Sequence, residues 1–217
     1  MNKFYTLIIL VMSFVIYGCG TGRNFTVNPS TDLKIDLTKV SDVETLFGKS
    51  EEVKTIDENN LSSKIHVYYY VQKPGYYSYV SMKNLELEFI NDILNGYVYQ
   101  NSFEEPNTNF SDSLRNKIEI GVSNKVDVVK LFGEPSGKTN LPTNLINYSL
   151  GLNTVKINPE ANESWIYSLK YFEDVYNTPK PYYKFLIFFF NSDQNVIDKY
   201  YVSNITREVI KPNISEH

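Results

Sequence analysis

Two stretches of this chain repeat the same order of apolar and polar positions. Residues 38–48, Thr-Lys-Val-Ser-Asp-Val-Glu-Thr-Leu-Phe-Gly, align without a gap to residues 123–133, Ser-Asn-Lys-Val-Asp-Val-Val-Lys-Leu-Phe-Gly. Val43, Leu46 and Phe47 fall at spacings of three and four, as do Val128, Leu131 and Phe132. That spacing predicts a short amphipathic helix in each stretch. Thr38 or Ser123 is placed to cap its first turn, and Gly48 or Gly133 to end it. After each helix the period changes to two. Strands are predicted over residues 65–71, 85–89 and 97–103, and again over 165–172, 183–190 and 196–202. Pro74-Gly75 and Asn95-Gly96 read as turns in the first copy, and residues 191–195 in the second. The expected fold is therefore α+β: two tandem repeats, each a short helical segment packed on an antiparallel β-sheet of three to four strands.

Ahead of the repeats lies an apolar run over residues 7–16, preceded by Lys3 and followed by Gly18-Cys19. It falls short of the roughly 20 apolar residues of a membrane-spanning helix and fits the core of a secretory signal. The pattern resembles a bacterial lipoprotein signal, which implies cleavage before Cys19 and lipidation of that residue. The expected division is a signal over 1–18, a lipidated tether over 19–33, a first repeat over 34–104 and a linker over 105–114. A second repeat over 115–210 and a tail over 211–217 complete it. Gly20, with no acid directly after Cys19, is compatible with an outer-membrane protein facing the periplasm.

Composition narrows the function classes. Removing residues 1–18 takes away one base, Lys3, and leaves 20 basic and 25 acidic residues, a net charge of −5. Such a balance offers no footprint for nucleic acid. Cys19 is the one cysteine of the chain, so disulfides, thiolate metal sites and cysteine nucleophiles are excluded from the mature fold. Eighteen tyrosines and thirteen phenylalanines suit half-buried strands.

Residues that could carry chemistry are few. His66 falls in a predicted strand and His217 at the last position, too few imidazoles for a triad or a histidine-based metal site. Glu86 and Glu88 share one strand face, whose default reading is a solvated one; Glu51-Glu52 and Glu104-Glu105 are further acidic pairs. No catalytic residue, metal or cofactor is expected. Tyrosine clusters suit contact better, since tyrosine buries area at low entropic cost. Tyr69, Tyr77, Trp165 and Tyr167 are the candidates for a sheet face that docks a protein or a glycan. Asn60 and Asn162 lie in acidic sequons of the kind used by some bacterial N-glycosylation systems.

Several short motifs carry a resemblance. A helix ending Leu-Phe-Gly-x-Pro (Leu131 to Pro135), a Trp-x-Tyr strand (Trp165 to Tyr167) and Phe-Phe-Asn-x-x-x-x-Val (Phe189 to Val196) resemble the SmpA/OmlA (BamE-like) lipoproteins. The first copy departs from that pattern with Asp36, Ser50 and His66 at the matching places. A tandem of such units is also similar to the architecture of β-lactamase-inhibitor proteins. The resemblance implies an envelope lipoprotein that works by contact with a protein partner. The alternatives are an inhibitor-like binder using a concave tandem sheet, or a hydrolase built on a carboxylate pair.

Overall fold

The computed structural model describes residues 20–58, 60–72, 81–103, 110–151, 155–175 and 178–204. Cys19 and Tyr77 lie outside them. The strands are β1 (Gly20–Gly22), β2 (Glu52–Glu58), β3 (Leu61–Gln72), β4 (Ser81–Ile90), β5 (Ile93–Asn101), β6 (Gly137–Asn140), β7 (Glu163–Val175), β8 (Thr178–Phe190) and β9 (Val196–Ser203). Short helices are α1 (Pro29–Asp32), α2 (Val40–Phe47), α3 (Lys125–Phe132) and α4 (Leu145–Leu150), with a 3-10 turn at Asp112–Lys117.

The two repeats do not form two sheets. Among the described residues all nine strands join one antiparallel sheet in the order β1-β3-β4-β5-β6-β7-β8-β9, with β2 also on the edge of β3. The joint is β5 against β6, where Gly96 faces Thr139, Tyr97 faces Lys138 and Val98 faces Gly137. It depends on two missing side chains. A Cβ on Gly96 would lie 2.3 Å from the Thr139 Cβ, and one on Gly137 would lie 2.6 Å from the Tyr97 carbonyl oxygen. The Asn95-Gly96 pair, expected as a turn, is thus inside a strand. The turn sits at Asn91 and Asp92, which take φ of 51° and 62°; short polar side chains tolerate that left-handed conformation.

Around each helix the same contacts recur. Gly48 and Gly133 end α2 and α3 at φ of 78° and 74°. Their carbonyls accept the hydroxyls of Tyr68 at 3.1 Å and Tyr167 at 2.8 Å. Asp42 and Asp127 accept the amides of Lys39 and Asn124, closing the first turn. Thr38 and Ser123 act one turn earlier than a cap would: their hydroxyls accept the amides of Lys34 and Glu119. The Thr38 and Ser123 carbonyls also accept from matching partners in the two halves, the amides of Leu94 and Val196.

One face of the sheet carries two separate cores, one under each helix. Phe25, Val43, Phe47, Tyr68, Leu87 and Leu94 pack in the first, and Phe110, Val128, Phe132, Tyr167, Phe188 and Val196 in the second. The opposite face carries a core shared by both halves, where Ile65, Val67, Val98, Ile166, Ile187 and Phe189 meet Leu145 and Ile146 of α4. Residues 20–33, expected as a tether, belong to the domain. Gly20 to Gly22 pair with β3, and Phe25, Val27 and Leu33 are buried, because the first core needs them as its lid.

Gly137→Ala is expected to cost about 1–3 kcal/mol by overpacking the joint. Thr55→Ala on exposed β2 should change stability by about 0.5 kcal/mol or less. Urea melts of the two variants check this contrast.

Candidate functional site

Glu86 and Glu88 are not on a solvated face. They project from β4 toward α4 and are 7% and 0% exposed. Glu88 accepts the Asn144 amide at 2.7 Å on one oxygen, and Asn95 Nδ2 at 2.8 Å and Thr143 Oγ1 at 2.5 Å on the other. Glu86 accepts Asn84 Nδ2 at 2.8 Å and the Ser149 hydroxyl. All four carboxylate oxygens are thereby occupied, three of them by the segment that forms α4 and the fourth, on Glu86, by Asn84 of the same strand. The default expectation failed because the sequence does not show that α4, from the insertion between β6 and β7, folds over this face. Burial raises the Glu86 carboxyl above its ordinary value of 4.5, against the pull of Ser149, Asn84 and Lys170.

His66 is 6% exposed in β3. Its ring meets Phe89 edge-on at 5.1 Å, and its Nδ1 lies 3.4 Å from the Ser50 hydroxyl. Burial lowers its pKa, with Glu44 and Asp92 opposing. Among the described residues no group of three or more His, Cys, Asp or Glu side chains could hold a metal ion.

The aromatic candidates separate. Tyr167 is 0% exposed, its ring against Phe132 at 5.4 Å and Phe188 at 6.0 Å, which leaves a partner nothing to touch. Burial pushes its hydroxyl well above the ordinary tyrosine range. Trp165 is 7% exposed; its indole N–H donates to Glu163 at 2.5 Å, and Lys138 Nζ sits 4.9 Å from the ring centroid. Tyr69 is half-buried against the shared core. The face that would have been concave is covered at its centre by α4. Asn60 and Asn162 are both exposed.

Open surface lies elsewhere. A cleft of about 380 Å³ forms where β5 and β7 run on past the end of β6, lined by Tyr97, Tyr99, Gln100, Ser136, Ser168 and Lys170. Its walls mix polar and apolar atoms, and burial pushes the Tyr97 hydroxyl up to about 12. At the far end of the strands stand aliphatic side chains that folding does not use. Leu37 is 69% exposed beside the start of β5; Ile120, Val122 and Val126 are 52%, 69% and 73% exposed beside the start of β9. Leu37 and Val122 occupy the same position in the two aligned stretches. The two spots are four strands apart, roughly 19 Å at the usual strand spacing. Sequence reasoning missed them because an apolar residue next to an amphipathic helix reads as core, and pattern alone does not show which apolar residues stay outside.

No protein-family model matches the chain. No curated protein matches it either. Among solved structures it is similar to one described as a β-lactamase inhibitor protein from Streptococcus mutans, at 11% identity and a TM-score of 0.39, over 76% of this chain and 82% of that one. The SmpA/OmlA resemblance rests on its short motifs.

A carboxyl raised in the folded state contributes stability that is full below its unfolded pKa and is lost as pH rises toward the folded value. Glu86→Gln removes that loss. Its stability relative to the wild type is expected to increase between about pH 4 and about pH 7, as read from urea melts at both.

Proposed function

We propose that this protein is a non-catalytic binding protein of the bacterial envelope, held to a membrane by lipid on Cys19 and acting by capping or holding a partner polypeptide. The observation that carries this reading is the pair of exposed aliphatic spots at Leu37 and at Ile120, Val122 and Val126. Clustered exposed apolar side chains cost solubility and mark contact sites. Their placement at matching positions of the two halves gives one partner two points of attachment on a single face. Linked contacts of that kind bind more tightly than either alone. Glu86 and Glu88 supply the counterpart: the carboxylates best placed for hydrolysis are committed to holding α4.

Capping of an enzyme, as an inhibitor does, fits this two-point surface better than passive support. The recurrence of contacts around α2 and α3 is further read as duplication of one SmpA/OmlA-like unit, whose copies later fused their sheets. The envelope placement rests on the leader and Cys19, and the outer membrane facing the periplasm is its expected address.

Photo-crosslinking side chains placed at Leu37 and Val122 in native cells are expected to trap the same polypeptide, and one placed at Glu58 to trap none. The Leu37→Ser/Val122→Ser double variant should lose that partner at least tenfold in affinity while melting as the parent does. Separate partners at the two positions, or full retention by the double variant, would sink the reading.

A further inference from the structure

Two polar groups buried in the cleft beside β5 do nothing for the fold. Tyr97 is 3% exposed and Gln100 is 6% exposed, and both line the cleft. Neither the Tyr97 hydroxyl nor the Gln100 amide has a hydrogen-bond partner among the described residues. The Ser164 hydroxyl is the one group there that is both unpaired and sealed from solvent. The Tyr97 and Gln100 groups therefore reach open space, and the cleft is that space. Nearly all buried polar groups in native proteins are paired, so two unpaired ones at one opening mark the place of a ligand.

The surroundings narrow its chemistry. The charged side chains at the cleft have partners already. Lys83 Nζ donates to Asn24 Oδ1 at 3.1 Å and to the Phe25 carbonyl at 2.9 Å. Glu134 meets Lys138 at 3.4 Å, and Lys170 acts on the Glu86 carboxyl. Ser136 has taken the strand edges: its carbonyl accepts the Tyr99 amide at 2.8 Å and its hydroxyl accepts the Ser168 amide at 2.9 Å. An ionic ligand meets charges that are engaged, and an extended peptide meets edges that are closed. What remains on offer is neutral. A side-chain amide carries an acceptor oxygen and a nitrogen with two donor hydrogens, which matches ring hydroxyls that both donate and accept. Tyr99, half-buried at the same cleft, adds an aromatic wall. The volume of about 380 Å³ lies at the small end of ligand pockets.

We propose that this cleft binds a neutral saccharide unit, whose hydroxyls pair with the Tyr97 hydroxyl and the Gln100 amide while a C–H face packs on Tyr99. The site is separate from the aliphatic spots, since it lies at the end of β5 and Leu37 stands beside its start. It depends neither on lipid at Cys19 nor on the partner polypeptide.

The test probes the purified full chain with an array of neutral, sialylated and phosphorylated glycans and with a pool of random pentapeptides. Neutral glycans alone should bind. Tyr97→Phe and Gln100→Met should each weaken the strongest of them by about fivefold, the worth of one hydrogen bond. A Glu58→Ala control should bind as the parent does. In urea melts both cleft variants should be as stable as the parent or more so, because each removes a polar group that the protein leaves unpaired. Loss of stability in both would give these groups a structural role and overturn the site. Preference for charged glycans or for peptides, no binding on the array, or undiminished binding by both variants overturns it as well.

Discussion

Everything in this molecule depends on how closely β5 and β6 can approach. Antiparallel strands pair at about 4.8 Å whatever their side chains, but here the sheet packs Thr139 and Tyr97 into space that a Cβ at Gly96 or Gly137 would fill. Without that approach the chain would be two small units, each with one helix over one short sheet. Small cores of that kind bury too little surface to be robust. Joined, they expose a common second face, and α4 closes over it with apolar residues from both halves beneath. The joint therefore makes the shared core possible.

The shared core in turn explains the buried acids. A six-residue helix has little intrinsic stability, so α4 needs fastening. Glu88 accepts the amide at its first turn and the Thr143 hydroxyl, while Glu86 takes the Ser149 hydroxyl one turn on. Buried carboxylates are costly unless their oxygens are satisfied, and these are. Glu86 and Glu88 thus serve the architecture.

Helices α2 and α3 and the six main strands were legible in the sequence because of a clean period, three to four for the helices and two for β4; α1 and α4 were not predicted. What was not legible came from distant contacts. β2 and β6 were not among the predicted strands, since their residues gain order only from pairing with β3, β5 and β7. Asn95-Gly96 has turn composition, yet its glycine answers to Thr139 forty-three residues away. Tyr167 and Trp165 were good guesses for a sheet and poor ones for a surface, because an aromatic residue's face is set by the helix that covers it. Leu37 and Val122 were the reverse, apolar by pattern and outside by position.

The two glycines of the joint have a last consequence, at the outer rims. By register, Glu52 of β2 stands where Gly137 stands in β6, and Asp198 of β9 where Gly96 stands in β5. Each rim thus carries a side chain at the place where the inner strands carry none. A further copy cannot dock on either rim as the halves dock on each other. An arrangement that could in principle propagate into a fibre is terminated after two units by a pair of acidic residues.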